Sequence, residues 1–262
     1  MSKKRVDIII CTYNNSEYTI PCLGSIALNT EHPYRVIMID NGSKPKEIAK
    51  VNDFLASMEE PFPHLWIFNQ QNFGFAKGNN VGIRISDAPM ILLLNNDTIV
   101  TPGWLGRLVK IAESDKNIGL VGPMNQASHG WQTVKDLQRF APKLPNMNGR
   151  GFMAYQKMLN GMSFTGKHVK KPWLAFYCTL IKRSVLDKVG YLQEKYGYGF
   201  AEDNDYCFRA KKAGYACACA IDTIILHYRR TTFESIWPNK GWKELQRHNL
   251  QMLINECGRT AI

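Results

Sequence analysis

The stretch Met90-Ile91-Leu92-Leu93-Leu94-Asn95-Asn96-Asp97-Thr98 constrains this chain more than any other. Its five leading apolar residues are too few for a core helix and are bounded by Pro89 and a polar cluster, so they read as a strand buried on both faces. The polar cluster then falls at the strand's carboxyl end. In open α/β sheets the helices cover both faces, and ligands enter the crevice outside the strand ends. A carboxylate beside two amides there is a hard-oxygen donor set suited to Mg²⁺ or Mn²⁺ held together with phosphate oxygens. The same residues also suit a turn capping the helix expected near Pro102, and the motif alone leaves both readings open.

The stretch is one copy of a repeated pattern. Arg5–Cys11 reads as a strand that exits into Thr12-Tyr13-Asn14-Asn15-Ser16, followed by a helix over Glu17–Leu28 with Ser16 as N-cap. Arg35–Ile39 reads as a second strand, ending in Asp40-Asn41-Gly42-Ser43 before a helix from Pro45 to Met58. Leu65–Phe68 is a third, leading into Asn72-Phe73-Gly74-Phe75-Ala76-Lys77-Gly78-Asn79-Asn80 and a helix to Ser86. Right-handed crossovers assemble such units into a Rossmann-like, mainly parallel sheet flanked by helices, with the polar loops converging at one edge. A helix over Pro102–Ser114 and a strand over Ile118–Pro123 complete this half.

From Asn125 to Lys171 the pattern dissolves. Lys135, Arg139, Lys143, Arg150, Lys157, Lys167, Lys170 and Lys171 are opposed there only by Asp136, which suggests a basic insertion or lid over the strand ends. Strand-like character returns over Trp173–Lys182, then a short helix over Ser184–Val189 ends at Gly190. Glu202-Asp203-Asn204-Asp205 opens a helix with Tyr206, Ala210 and Ala213 at helical spacing; these carboxylates serve either dipole compensation or chemistry. Tyr215–Ile221 and Ile224–Leu226 read as strands, the latter running to His227, which on its own reads as structural as readily as a ligand. Trp242, Leu245, Asn249, Met252, Leu253 and Glu256 trace a partly apolar face of a C-terminal helix.

The balance of 33 Lys and Arg against 22 Asp and Glu, a formal charge of +11, favours anionic partners such as nucleotides, phosphorylated lipids or membrane surfaces. No segment approaches the roughly 18 apolar residues of a membrane span, and the start Met1-Ser2-Lys3-Lys4-Arg5 lacks the apolar region of a signal peptide. A cytoplasmic protein is expected. Seven scattered cysteines indicate neither a disulfide framework nor zinc, and Cys217 with Cys219 reads as a pair of buried thiols on one strand face.

Five pieces in this order resemble the inverting family 2 glycosyltransferases of the GT-A fold, of the rhamnosyltransferase-like, cell-surface polysaccharide type. They are Cys11-Thr12-Tyr13-Asn14, Ile39-Asp40-Asn41-Gly42-Ser43, Asn72 through Gly82, Leu94-Asn95-Asn96-Asp97-Thr98, and Glu202-Asp203 with Arg209 and Gly214. The likeness covers nearly the whole chain outside the Asn125 to Lys171 insertion. It implies a single transferase domain over residues 1–262: a nucleotide-sugar half to residue 124, the insertion over 125–171, and an acceptor and catalytic half over 172–262. It further implies that Thr12, Tyr13, Asn14, Asp40, Asn41, Gly74, Lys77, Asn80, Asn95 and Asn96 serve the donor, with Asp40 accepting hydrogen bonds from a pyrimidine and Lys77 near phosphate. Asp97 would hold Mn²⁺ or Mg²⁺, with His227 completing the coordination. Asp203 would be the general base, with Glu202 its understudy. Asn95 and Asn96 depart from the usual Asp-x-Asp motif by leaving a single carboxylate, so the ion would lean on the donor's own diphosphate.

The expected partners are a UDP- or dTDP-linked sugar and a saccharide or lipid-linked saccharide acceptor, with peripheral contact to an anionic inner membrane face and no nucleic acid. The insertion and Arg229-Arg230 are candidates for gripping an anionic acceptor, and Trp131, Trp173 and Tyr198 for stacking on sugars. A dinucleotide oxidoreductase or a nucleotidylyltransferase needs a Gly-rich first loop, and Thr12-Tyr13-Asn14-Asn15-Ser16 has no glycine. The alternative left standing is a non-catalytic nucleotide- or glycan-binding module on a transferase core.

Overall fold

The computed structural model describes residues 4–125, 132–133, 157, 166–228, 232, 236–237, 239 and 241–258. The strands are β1 (Val6–Thr12), β2 (Tyr34–Asp40), β3 (His64–Phe68), β4 (Met90–Leu94), β5 (Thr98–Ile99), β6 (Ile118–Asn125), β7 (His168–Lys171), β8 (Cys178–Lys182) and β9 (Ala216–His227). The helices are α1 (Ser16–Asn29), α2 (Pro45–Ala56), α3 (Gly74–Ile85), α4 (Trp104–Ser114), α5 (Arg183–Val189), α6 (Glu202–Lys212) and α7 (Trp242–Cys257).

The strands form one sheet in the order β3-β2-β1-β4-β8-β6-β9-β5, with β7 also paired to β9. The parallel core expected from the repeat is present in β3-β2-β1-β4. Beyond it the sheet is mixed, because β8 lies antiparallel between β4 and β6, while β6 and β9 run parallel.

Continuous apolar runs suit these central strands because both faces are covered. Ile8, Ile10, Met38, Leu92 and Leu94 point to one side, against Leu23 and Ile26 of α1 and Trp104 and Leu108 of α4. Ile9, Ile37, Ile39, Ile91 and Leu93 point to the other, against Ile83 of α3, Val185 of α5 and Tyr206 of α6. Burying a side chain of this size is worth roughly 1.5–3 kcal/mol, so the two layers dominate the stability.

Three local expectations are corrected. Ser16 does not act as the N-cap of α1: Asn15 holds that place at φ 52° without a side-chain cap bond, and Ser16 donates its N–H and hydroxyl to Glu47 of α2, at 3.1 and 2.6 Å. The expected strand over 173–182 begins only at Cys178, and Trp173, Ala175, Phe176 and Tyr177 instead face the cleft described below, while Leu174 is buried in the core. The two short strands expected after Gly214 are one continuous β9, whose pairing with β6 steps from Pro123↔Ala220 to Met124↔Ile224. That step leaves Ile221, Asp222 and Thr223 outside the ladder. Cys217 and Cys219 are buried free thiols, as read from the sequence.

Most of the basic insertion, including Trp131, Lys135, Arg139, Lys143 and Arg150, lies outside the described residues, as do Arg229 and Arg230. Its described end supplies β7, and Lys157 is exposed. No helix among the described residues is long and apolar enough to cross a membrane.

Candidate active site

A cleft of about 510 Å³ opens at the carboxyl ends of β1, β2 and β4, where the polar loops converge. Thr12, Tyr13, Asn41, Gly74, Asn95, Asn96, Asp97, Glu202, Asp203 and His227 all line it. Asp97 and Asp203, more than a hundred residues apart, therefore share one cavity.

The first two loops are stapled together. Thr12 donates its hydroxyl to the Asp40 carboxylate at 3.1 Å, and that carboxylate also accepts the Gly42 and Ser43 amides at 3.0 and 2.7 Å. Asn14 accepts the Lys44 amide at 2.9 Å, and its own amide donates to the Ser43 hydroxyl at 2.7 Å. Asp40 and Asn14 line a small adjoining cavity that shares Thr12 with the main one. Asn41 donates to the Gly74 carbonyl at 3.2 Å and accepts from Asn69 at 2.9 Å, which ties the second loop to the start of α3.

Two expected donor residues stand elsewhere. Asn80 is fully buried and exchanges hydrogen bonds with the backbone of Leu192 while donating to Glu194, so its amide fastens α3 to the segment after α5. Lys77 is exposed, with its ammonium 4.1 Å from the Phe73 ring centre. Neither lines the cleft. Periodicity could not separate them from their neighbours, because successive residues of a helix point to different sides.

Asp97 and His227 meet because β5 and β9 are paired, with Thr98 opposite His227 and the Tyr228 amide donating to the Asp97 carbonyl at 2.9 Å. Asp97 Oδ1 lies 3.2 Å from His227 Nε2, and both side chains are largely buried. The imidazole stacks on Tyr177 at 5.0 Å between centres, and its Nε2 also faces the Asn95 amide nitrogen at 3.2 Å. Asn96 donates to Thr19 at 2.9 Å, which leaves it a loop-holding role.

Among the described residues no group of three or more His, Cys, Asp or Glu side chains could hold a metal ion. The Asp97 and His227 pair nevertheless fits a divalent ion. Its separation of 3.2 Å is close to the roughly 3.0 Å between adjacent ligands of an octahedron with bonds of about 2.1 Å. Two protein ligands leave the remaining positions to other oxygens.

Across the cleft, Glu202 and Asp203 head α6 after a turn whose backbone is held in the left-handed region at Phe200 (φ 71°) and Ala201 (φ 73°). Such backbone costs about 1–3 kcal/mol per residue and persists only when the surroundings over-determine it. Burial pushes the Asp203 carboxyl up to about 6, against the pull of the Asn204 amide at 2.8 Å. Burial and the neighbouring Asp203 charge raise Glu202 well above the usual carboxylate range. Its Oε2 is buried without a hydrogen-bond partner among the described residues. Both shifts disfavour the charged forms, and with its carboxyl at about 6 Asp203 is poised to take up a proton near neutral pH. Asp205, the third carboxylate, is turned to Arg209 at 2.7 Å and serves the helix.

No donor or metal motif of the sequence marks the remaining wall of the cleft. Phe176, Tyr177, Phe200 and Leu250 line it together with Trp173 and Tyr198, the aromatics expected to stack on sugars. Gly74, at φ +76°, abuts the turn before α6: a Cβ there would stand 2.3 Å from the Gly197 carbonyl oxygen. The Phe75 amide donates to Tyr198 O at 3.2 Å, which joins the two sides of the cleft.

Among known proteins, an uncharacterized glycosyltransferase of Haemophilus influenzae is 20% identical over 273 residues, covering 97% of this chain and 75% of its own length. In structure the chain is similar to GalNAc-T7, solved with UDP, GalNAc and Mn²⁺, at a TM-score of 0.66 and 12% identity, over 86% of this chain and 44% of that one. It is also similar to the mannosyltransferase PcManGT of Pyrobaculum calidifontis, solved with GDP-Man and Mn²⁺, at 0.64 and 15%, over 95% of this chain and 63% of that one. The chain thus spans less than two thirds of either solved protein, and the likeness establishes the GT-A fold. Residues 7–190 match the family described as Glycosyl transferase family 2, well over half of the sequence, and the chain belongs to that family.

Proposed function

We propose that this chain transfers a sugar from a nucleotide diphosphate sugar, UDP- or dTDP-linked, to an acceptor hydroxyl with inversion at the anomeric carbon. The observation that carries this reading is that Asp97 and Asp203 line one cleft of about 510 Å³, with the polar ends of the nucleotide-side strands between them. A space of that size accommodates a nucleotide sugar.

In this reading Thr12, Tyr13 and Asn41 receive the nucleoside, and Asp40 fixes the loop geometry around the base. Asp97 and His227 would hold a divalent ion, Mn²⁺ or Mg²⁺, which supplies Lewis-acid neutralisation of the leaving diphosphate. Both structures of similar fold were solved with Mn²⁺ and a nucleotide or nucleotide sugar, which supports the choice. Asp203 accepts the proton of the acceptor hydroxyl as its oxygen bonds to the anomeric carbon and the bond to the diphosphate breaks. Glu202, beside it on the same helix turn, keeps the surroundings of Asp203 dry and raises the cost of its charge. A saccharide or lipid-linked saccharide acceptor enters past the aromatic wall of Trp173, Phe176 and Tyr198.

Release of nucleotide diphosphate from UDP- and dTDP-sugars in the presence of Mn²⁺, for the wild type and Asp203→Asn, tests the proposal. Turnover that falls by roughly 10²-fold or more in the variant is expected for loss of a general base. Binding of nucleotide without turnover of any donor would instead favour a binding module.

A further inference from the structure

The left-handed turn before α6 has to be held by something, and the holder is on the C-terminal helix. Asn249 of α7 is 2% exposed, and its amide nitrogen donates to Tyr196 O and Gly199 O at 2.8 Å each, with Phe200 O at 3.4 Å. These are backbone carbonyls of the segment that runs straight into Glu202 and Asp203. The segment has four positive φ values in five residues, at Gly197, Gly199, Phe200 and Ala201. Two of these residues carry side chains, which disfavour that conformation.

One amide group gathering three carbonyls is a clamp specified by hydrogen-bond geometry, and an aliphatic residue could not reproduce it. Packing alone would have been met by the apolar neighbours, since Leu253 on the same helix already fills a small cluster with Tyr196 and Ala201. The helix also reaches the cleft itself through Gln246 and Leu250. It lies beyond residues 7–190, the span of the family match.

We propose that Asn249 is a positioning residue for the proposed transfer: its amide fixes the Gly197–Ala201 turn and thereby aims the Asp203 carboxylate into the cleft. The inference rests on the reading of Asp203 as the base, but its local consequence does not. Without the clamp, the turn relaxes toward ordinary backbone angles while the nucleotide-side loops, built on β1, β2 and β4, stay in place.

The test compares Asn249→Ala, the isosteric Asn249→Asp and Asn249→Ser, with Gln251→Ala at an exposed site of the same helix as control. If the alanine variant does not fold, the serine variant, which keeps one donor, is read in its place. Three quantities are measured: amide hydrogen exchange over 197–205, affinity for UDP with Mn²⁺, and kcat and KM for UDP release from a UDP-sugar. The expected result is at least tenfold faster exchange confined to that segment, UDP affinity and donor KM within twofold of wild type, and a kcat lowered about 10- to 100-fold. Unchanged exchange and unchanged kcat would overturn the proposal. So would parallel losses of UDP affinity and of exchange protection across the sheet, which mark a merely structural role. If Asp203→Asn keeps full turnover while Asn249→Ala loosens only the turn, the base assignment fails and the clamp stands.

Discussion

Gly74→Ala is the substitution whose cost the structure specifies most directly. The residue sits at φ +76°, where an L side chain costs about 1–2 kcal/mol. A Cβ would also stand 2.3 Å from Gly197 O, 2.7 Å from Tyr198 Cα and 2.8 Å from Gly197 C. All three are backbone atoms, so no flexible side chain can swing aside, and overpacking of this kind adds about 1–3 kcal/mol. The expected destabilisation is about 2–5 kcal/mol. Equilibrium urea unfolding reads it: with a slope of about 1–3 kcal/mol per molar, the midpoint should drop by about 0.7 M or more at unchanged slope. Gly106→Ala is the matched control, because it lies within α4 with nothing inside 4 Å of the added Cβ, and should stabilise by about 0.5–1 kcal/mol. A Gly74→Ala midpoint equal to that of the wild type would refute the close packing of α3 against the turn before α6.

Asp97→Ala should abolish Mn²⁺-dependent binding of UDP while leaving the circular dichroism spectrum unchanged; equal calorimetric affinities with and without the carboxylate would show the metal to be held elsewhere. Asp203, raised to about 6 by burial, must be ionised to accept a proton, so kcat should fall about tenfold per unit below pH 6. A flat profile down to pH 5 would exclude it as base. The same shift lowers stability above pH 6, and the penalty disappears as pH falls toward 4, so Asp203→Asn should melt higher than wild type at pH 7, by up to about 3 kcal/mol in free energy. Glu47 behaves oppositely: the Ser16 hydroxyl and amide hold its carboxyl down to about 2, so its contribution is complete above pH 4.5 and fades toward pH 2. Glu47→Gln should destabilise at pH 7 by about 1–3 kcal/mol, and by much less at pH 2, in thermal unfolding.

The strands buried on both faces were legible because Ile8–Ile10, Val36–Ile39 and Met90–Leu94 leave no other reading, and their polar exits followed from the topology. Direction was not: nothing in Cys178–Lys182 announces that it runs antiparallel between β4 and β6. The meeting of Asp97 with His227 depends on the pairing of β5, only two residues long, with the far end of β9, and so short a strand has no periodicity to detect. Lys77 and Asn80 sit in a motif of which Asn72, Gly74 and Phe75 face the cleft, and the helix rotation carries the later members away from it. Asn249 looked like one more position on a packed helical face, since a sequence shows an amide but not the three carbonyls it serves.

The three residues set outside the ladder in β9 have a bearing on the histidine four positions further on. Side chains on a strand alternate, so an odd change in the number of residues between Ala220 and Ile224 would invert the parity of everything after it. His227 would then face away from Asp97, with its imidazole on the opposite side of the strand from Tyr177. Ile221, Asp222 and Thr223 thus act as a spacer that sets which way the histidine looks, and a one-residue deletion there would part His227 from Asp97 without touching either residue.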